Sequence, residues 1–185
     1  VLATHTHGGP VVLEDALLGS VDESYLETLS TRAAKVAAEA VAALHPVSIF
    51  AGLSQETTVA HNRRIEHGPI DPDVPVIRFE DENGLYALFT SYACHPVMLG
   101  PNNLSFTRDY PGYLVDTLEQ LYPHTHVLFA TGCCGQINTP GHSAQDSIKG
   151  VGFELRTFIE ANRLGRLLAS AALHKSETLA NPRQK

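Results

Sequence analysis

Residues 74–92 constrain the fold more than any other stretch of the chain. Two runs rich in Val, Ile, Phe, Tyr and Leu flank Asp81-Glu82-Asn83-Gly84, and β-branched and aromatic side chains suit the pleated, half-buried surface of a strand. Asn-Gly between two such runs is the strongest short-range hairpin signal, so an antiparallel pair is predicted here. Around it, helix-like and strand-like periods alternate. Ser20 followed three residues later by Glu23 has the capping-box pattern and opens a predicted helix from about Asp22 to Leu44. Its apolar positions, among them Tyr25, Leu29, Val36, Val41 and Leu44, recur at steps of three and four and define one face. Pro46 ends it.

Residues 46–52 then read as a short buried strand, and residues 55–75 as a long irregular loop of the kind that usually carries function. Asp109 with Pro111 marks the start of a helix bearing Leu114, Val115, Leu118 and Leu121. Residues 126–130 read as a strand, and Gly132 to Gly141 as a glycine-bracketed loop. A last amphipathic helix from about Val151 to His174 presents Leu155, Phe158, Ile159, Leu167, Leu168 and Ala171, and residues 181–185 form a polar, fraying tail. This alternation predicts an α/β fold: a mixed β-sheet with flanking helices, in a single domain over residues 1–180.

Charge and composition narrow the function. Of 185 residues, 13 are Lys or Arg and 20 are Asp or Glu, a formal charge of −7. A negative surface repels phosphate backbones and the only adjacent basic pair is Arg63-Arg64, which argues against a nucleic acid partner. No apolar run approaches the roughly 18–20 residues of a bilayer span, so no transmembrane segment is expected, and the opening residues lack the blocks of a secretory signal. The chain opens on Val1, already in what reads as a strand, so a processed chain or fragment is expected. Cys94, Cys133 and Cys134 do not make a disulfide framework, because adjacent cysteines reach bridge geometry poorly and one is left over.

The residues that can carry chemistry begin with His5 and His7. Two residues apart in an extended segment, their side chains leave the same face and can converge on one point. Neutral imidazole is a common zinc ligand, and a catalytic zinc typically takes three protein ligands and leaves a position for water. His95, where the hairpin's second strand meets a loop, is the further candidate; the plain alternative is a set of hydrogen-bonded structural histidines. Arg63 in the long loop can clamp a carboxylate or stabilise an oxyanion, or simply be a solvated arginine. Asp109 and Tyr110 are candidates to face a site, Asp109 equally a helix cap. The glycines from Gly132 to Gly135 permit positive backbone angles that expose amides to an anionic ligand. Cys133 or Cys134 as a nucleophile would require a nearby base and a lowered pKa.

Several blocks together resemble the neutral/alkaline, non-lysosomal ceramidase family. Ala3-Thr4-His5-Thr6-His7-Gly8-Gly9-Pro10 is similar to that family's zinc-site opening, usually Thr-His-Thr-His-Ser-Gly-Pro. Asn62-Arg63-Arg64 followed by Gly68 to Pro75, Cys94-His95-Pro96, Asp109 to Tyr113 and Gly132 to Asn138 resemble further family blocks in the same order. The likeness runs as far as Pro140 and leaves the last helix undiagnostic. It implies a zinc-dependent hydrolase of an amide, N-acyl bond in a small-molecule or lipid-like substrate, with Zn2+ as cofactor. His5 and His95 would be metal ligands, His7 and Arg63 catalytic groups beside the scissile amide, and Gly135, Asp109 and Tyr110 substrate-binding residues. The position of the family's nucleophilic serine, in its Gly-x-x-Ser-Pro block, is here Asn138, counted with the catalytic-site residues although it cannot be the nucleophile; either a zinc-bound hydroxide attacks or the true substrate is not a ceramide. The family's remaining zinc ligands, a glutamate and a tyrosine, come from sequence beyond this block, so the chain is expected to be a piece cut short at both ends or a divergent short member. The alternatives are a non-catalytic fragment or binding module that keeps the fold with an incomplete zinc site, and a cysteine-dependent hydrolase using Cys133 or Cys134.

Overall fold

The structure is a computed structural model and describes residues 2–14 and 19–179; Val1 and the expected polar tail at 181–185 lie outside them. The contacts divide the chain into two compact units, one formed by Leu2 with Gly9–Pro46, the other by Ala3–Gly8 with the residues from Val47 onward.

The first unit contains helix α1, Glu23–Ala42. Asp22, rather than Ser20, is its cap: the carboxylate accepts from the Tyr25 N–H at 3.0 Å, which satisfies one of the amides that a helix start leaves unpaired. The predicted apolar stripe is present but no residue of α1 is buried; Leu29, Val36 and Val41 all stay exposed. Periodicity reports a face that can be covered, and in this helix that face remains at the surface.

The second unit holds the α/β fold. A four-stranded sheet runs in the order β1 (Ser48–Gln55), β3 (Asp73–Asp81), β4 (Gly84–Tyr92), β5 (His126–Thr131). The first three strands are antiparallel neighbours, whereas β4 and β5 are parallel, so the sheet is mixed as predicted. The hairpin falls where expected, with Asp81 opposite Gly84 and Gly84 at φ 119°, a turn conformation closed to most other residues. A parallel pair needs a crossover, and helix α2 (Asp109–Leu121) supplies it. Short strands β2 (His61–Asn62) and β6 (Ile137–Asn138) pair separately, the six-residue helix α3 (Ala144–Lys149) follows, and after one turn of 3-10 helix the chain ends its described part in α4 (Phe158–Thr178).

Helix α2 packs on α4 and β5, and α4 on β1 and β3. Their shared core contains Val74, Val76, Leu88, Leu114, Leu118 and Leu164, all with no exposed surface. The face that α4 buries overlaps only in part with the one read from the sequence: Leu168 is buried and Leu167 and Ala171 pack partly against the core. Phe158 and Ile159 are exposed, while Ala161, Leu164, Gly165, Leu168, Ala169 and Ala172 face inward. The small residues among them, Ala161, Gly165, Ala169 and Ala172, let two helices approach closely, and Gly165 sets the limit. A Cβ there would lie 2.6 Å from Tyr113 Cβ, 2.7 Å from the Tyr110 carbonyl and 2.8 Å from the Leu114 nitrogen. Backbone of α2 cannot yield as a side-chain tip does, so overpacking outweighs alanine's better helix propensity. Gly165→Ala is expected to destabilise the chain by about 2 kcal/mol. Its melting temperature should fall by roughly 4–8 °C in a thermal unfolding scan; an unchanged or higher midpoint would contradict the close crossing.

Candidate metal centre

Because β4 and β5 are parallel, their carboxyl ends lie side by side, and this is the sheet edge at which α/β folds hold ligands. Cys94-His95-Pro96 follows β4, and Gly132-Cys133-Cys134 follows β5. Segment Ala3–Gly8 is tied to the same edge. Thr131 Oγ1 donates to the Thr4 carbonyl at 2.5 Å, Thr6 Oγ1 to the Thr107 carbonyl at 3.0 Å, and the Thr107 N–H to the Gly8 carbonyl at 2.9 Å. The segment is not the strand that its sequence suggests. His5 has φ 61°, in the left-handed region that histidine enters more readily than most residues, so alternation of side chains along a strand is not what brings the rings together. Tethering by threonine hydroxyls does.

The rings of His5, His7 and His95 form a triangle, with centroids 5.3 Å apart for His5 and His7, 5.0 Å for His5 and His95, and 6.0 Å for His7 and His95. His95 is buried, and both its backbone N–H (3.0 Å) and its Nδ1 (2.8 Å) bond to the Ile137 carbonyl. A carbonyl only accepts, so Nδ1 carries the proton and Nε2 keeps its lone pair for a metal, the arrangement usual for a ligating histidine. Among the described residues, the ligand atoms of His5, His95 and Cys134 all lie within 4.8 Å of one another. Two imidazoles and a thiol are a donor set that suits zinc. Cys134 was not foreseen as part of this cluster; the glycine-bracketed loop was the only hint of it.

Partial desolvation, followed by the charges of His5, His95 and Arg63, holds His7 below the usual imidazole range even though its ring reaches solvent. Burial does the same to His95, opposed by its bond to Ile137 and aided by His5 and Arg63. His142, whose Nε2 donates to the Met98 carbonyl at 3.1 Å, is likewise lowered, first by burial and also by Arg156 and His7. These groups stay neutral when folded at a pH where the unfolded chain takes up protons. Stability is therefore complete above the unfolded value of about 6.5 and falls as the pH drops below it, by at most about 1.4 kcal/mol per pH unit for each such histidine. Urea unfolding of metal-free protein should show midpoints that decline between pH 7 and pH 5, with a flatter decline for His142→Gln; a midpoint independent of pH would refute the burial argument.

Arg63 follows β2 directly. Its N–H bonds to the Gln136 carbonyl (2.8 Å) and its own carbonyl accepts from Ala144 (2.9 Å), so backbone on both sides fixes it. Its charge acts on both His7 and His95, and it lines a cleft of about 590 Å³ that also takes in His61, Arg64, His67, Asp146 and Lys149. Asn138 is buried in β6; its Nδ2 donates to the His142 carbonyl at 2.9 Å, and its Oδ1 has no hydrogen-bond partner. Gly135 is exposed, with φ 20° and open space where a Cβ would stand. Asp109 and Tyr110 are placed differently. Tyr110 is wholly buried, its hydroxyl donating to the Cys94 carbonyl at 2.7 Å. Asp109, at φ 53° in the first turn of α2 rather than at its cap, accepts from Tyr110 N–H (2.7 Å) and Leu99 N–H (3.3 Å), and burial raises its pKa. Both spend their polar atoms on the backbone on either side of His95.

Two solved structures share the fold. Neutral ceramidase from Pseudomonas aeruginosa superposes on 96% of this chain with a TM-score of 0.79 at 20% sequence identity. A ceramidase complexed with C2 gives the same TM-score, identity and coverage. The fold is ceramidase-like. The chain spans under a third of the length of these proteins, 31% and 30% respectively. No protein-family model and no curated protein matches the sequence. Among the described residues of this ceramidase-like chain, no helix is long and apolar enough to cross a membrane.

Proposed function

We propose that this chain carries the metal-binding part of a zinc-dependent hydrolase that cleaves the amide bond of an N-acyl, ceramide-like substrate. The observation that carries the reading is the triangle of His5, His7 and His95 at the carboxyl edge of a ceramidase-like sheet. His5 and His95 would hold the metal. Bound there, zinc supplies a Lewis acid that polarises a carbonyl and makes water nucleophilic at neutral pH.

His7, kept neutral by partial desolvation and by its cationic neighbours, is the group able to accept a proton beside that pair. Arg63 lines the cleft and its positive charge reaches His7 and His95, so it could stabilise charge that develops on an acyl oxygen there. Asn138 cannot attack the amide, so water does. The unpartnered Asn138 Oδ1 offers a buried acceptor for a hydrogen bond, and Gly135 leaves backbone open to the substrate. Asp109 and Tyr110 would serve as positioning residues that hold the loop carrying His95.

A second reading, a non-catalytic binding module, is favoured by one observation: the residue at the family's serine position is a buried asparagine already bonded to the chain. Elemental analysis of the dialysed protein separates the two, run beside His5→Ala and an assay of fatty-acid release from short-chain N-acyl sphingoid and simple N-acyl amine substrates. Stoichiometric zinc, lost in His5→Ala together with turnover, supports the hydrolase. Zinc-free parent protein with no turnover after zinc is supplied leaves the binding module.

A further inference from the structure

Zinc sites use three or four protein ligands, and His5 and His95 supply two of them. We propose that Cys134, as its thiolate, is a further protein ligand to the metal beside His5 and His95. This rests on the reading of the chain as a metal-dependent hydrolase and specifies the metal shell of that site.

Two observations single out Cys134. Its Sγ lies within 4.8 Å of the ligand nitrogens of both His5 and His95. A tetrahedral zinc with bonds of about 2.1 Å to nitrogen and 2.3 Å to sulfur needs donors roughly 3.5 Å apart, so the trio must draw in by about 1 Å, within reach of side-chain adjustment. Second, one residue anchors two of the donors. The Ile137 N–H bonds to the Cys134 carbonyl at 2.5 Å, and the Ile137 carbonyl receives both the backbone N–H and the Nδ1 of His95. The Cys134 N–H closes a tight turn onto the Gly132 carbonyl at 2.8 Å. The ladder between β2 and β6 fixes Ile137 and through it the spacing of thiol and imidazole.

The other two cysteines do not compete. Cys133 is exposed and falls outside the trio. Cys94 is buried, its thiol is pushed up by burial, and its Sγ faces the His95 carbonyl. His7 also falls outside the trio of ligand atoms, which leaves it available for proton transfer. A thiolate donor selects for zinc, cobalt or cadmium and against magnesium, calcium or manganese, so the assignment predicts which metals the site accepts.

Cobalt titration of the full chain under reducing conditions is the test, with Cys134→Ser and Cys133→Ser beside it and circular dichroism as a folding check. Wild type and Cys133→Ser should develop the near-ultraviolet charge-transfer band of a thiolate on cobalt, and Cys134→Ser should lose it. If Cys134→Ser fails to fold, alkylation of the wild-type chain with iodoacetamide decides: zinc should protect Cys134 and leave Cys133 reactive, mapped by peptide mass. Cobalt bound without the sulfur band, a band that survives in Cys134→Ser, or alkylation of Cys134 unaffected by zinc overturns the assignment while leaving a metal site at His5 and His95 intact. Failure of the wild type to bind cobalt or zinc at all overturns the assignment and the hydrolase reading together.

Discussion

Replacing His95 by alanine is expected to remove zinc binding altogether while leaving the fold in place. The ring is the only part of His95 that can ligate; its backbone N–H keeps its bond to the Ile137 carbonyl after truncation. The metal-free variant should lose only about 1 kcal/mol, the worth of one side-chain hydrogen bond. The difference appears when zinc is added. A ligand at a thousand times its dissociation constant stabilises the folded state by about 4 kcal/mol, so wild-type protein should gain that much and His95→Ala nothing. Thermal unfolding of both proteins with and without zinc reads the contrast. A zinc-induced rise in midpoint that persists in His95→Ala would place the metal elsewhere.

On the proposed hydrolase reading, Arg63→Ala carries the largest expected effect on turnover with no change in metal content. Loss of one preorganised charge aimed at a developing oxyanion costs on the order of a hundred- to a thousandfold in kcat. The local fold should survive, because Arg63 is held through its backbone, to Gln136 on one side and Ala144 on the other. Arg63→Lys should recover part of the rate, since it restores the charge but not the planar fork. The same substitution has a signature independent of turnover. Arg63 contributes to the lowering of both His7 and His95, so their imidazole titrations, followed by NMR in the metal-free protein, should move upward in Arg63→Ala. Unchanged titrations together with unchanged kcat would remove Arg63 from the site.

Parts of the fold were legible because they are set by neighbours in sequence. The hairpin of β3 and β4 follows from two β-rich runs and one glycine that accepts φ 119°. The inward positions of α2, Leu114 and Leu118, follow from a period of four. Where a helix has more than one plausible face, periodicity could not choose. In α4 Phe158 and Ile159 look outward, while Leu164 and Leu168 look inward among small residues, Ala161, Gly165, Ala169 and Ala172, that allow the close approach of α2. In α1 the stripe is real and unburied. The cap at Asp22 in place of Ser20 is the ordinary ambiguity of two good capping residues in succession.

The candidate site divides along the same line. By itself the sequence determined the identities of the donors: histidines 5, 7 and 95, an arginine at 63, an asparagine where the resembling family has its serine. It also determined that β4 and β5 would be strands with loops after them. What only the tertiary structure decided is which donors meet. His5 and His7 were expected to converge through strand alternation; they converge in a loop tethered by Thr4, Thr6 and Thr131, with His5 in a left-handed conformation. Cys134 lies close to His5 and His95, and is tied to His95 through Ile137, more than forty positions from His95 in the chain and bonded to it by one carbonyl. Asp109 and Tyr110 stand near the site in sequence pattern but turn inward to support its loop. Local propensity acts over a few residues, whereas a metal shell depends on distances that only the parallel pairing of β4 with β5 and the ribbon of β2 with β6 bring to a few ångströms.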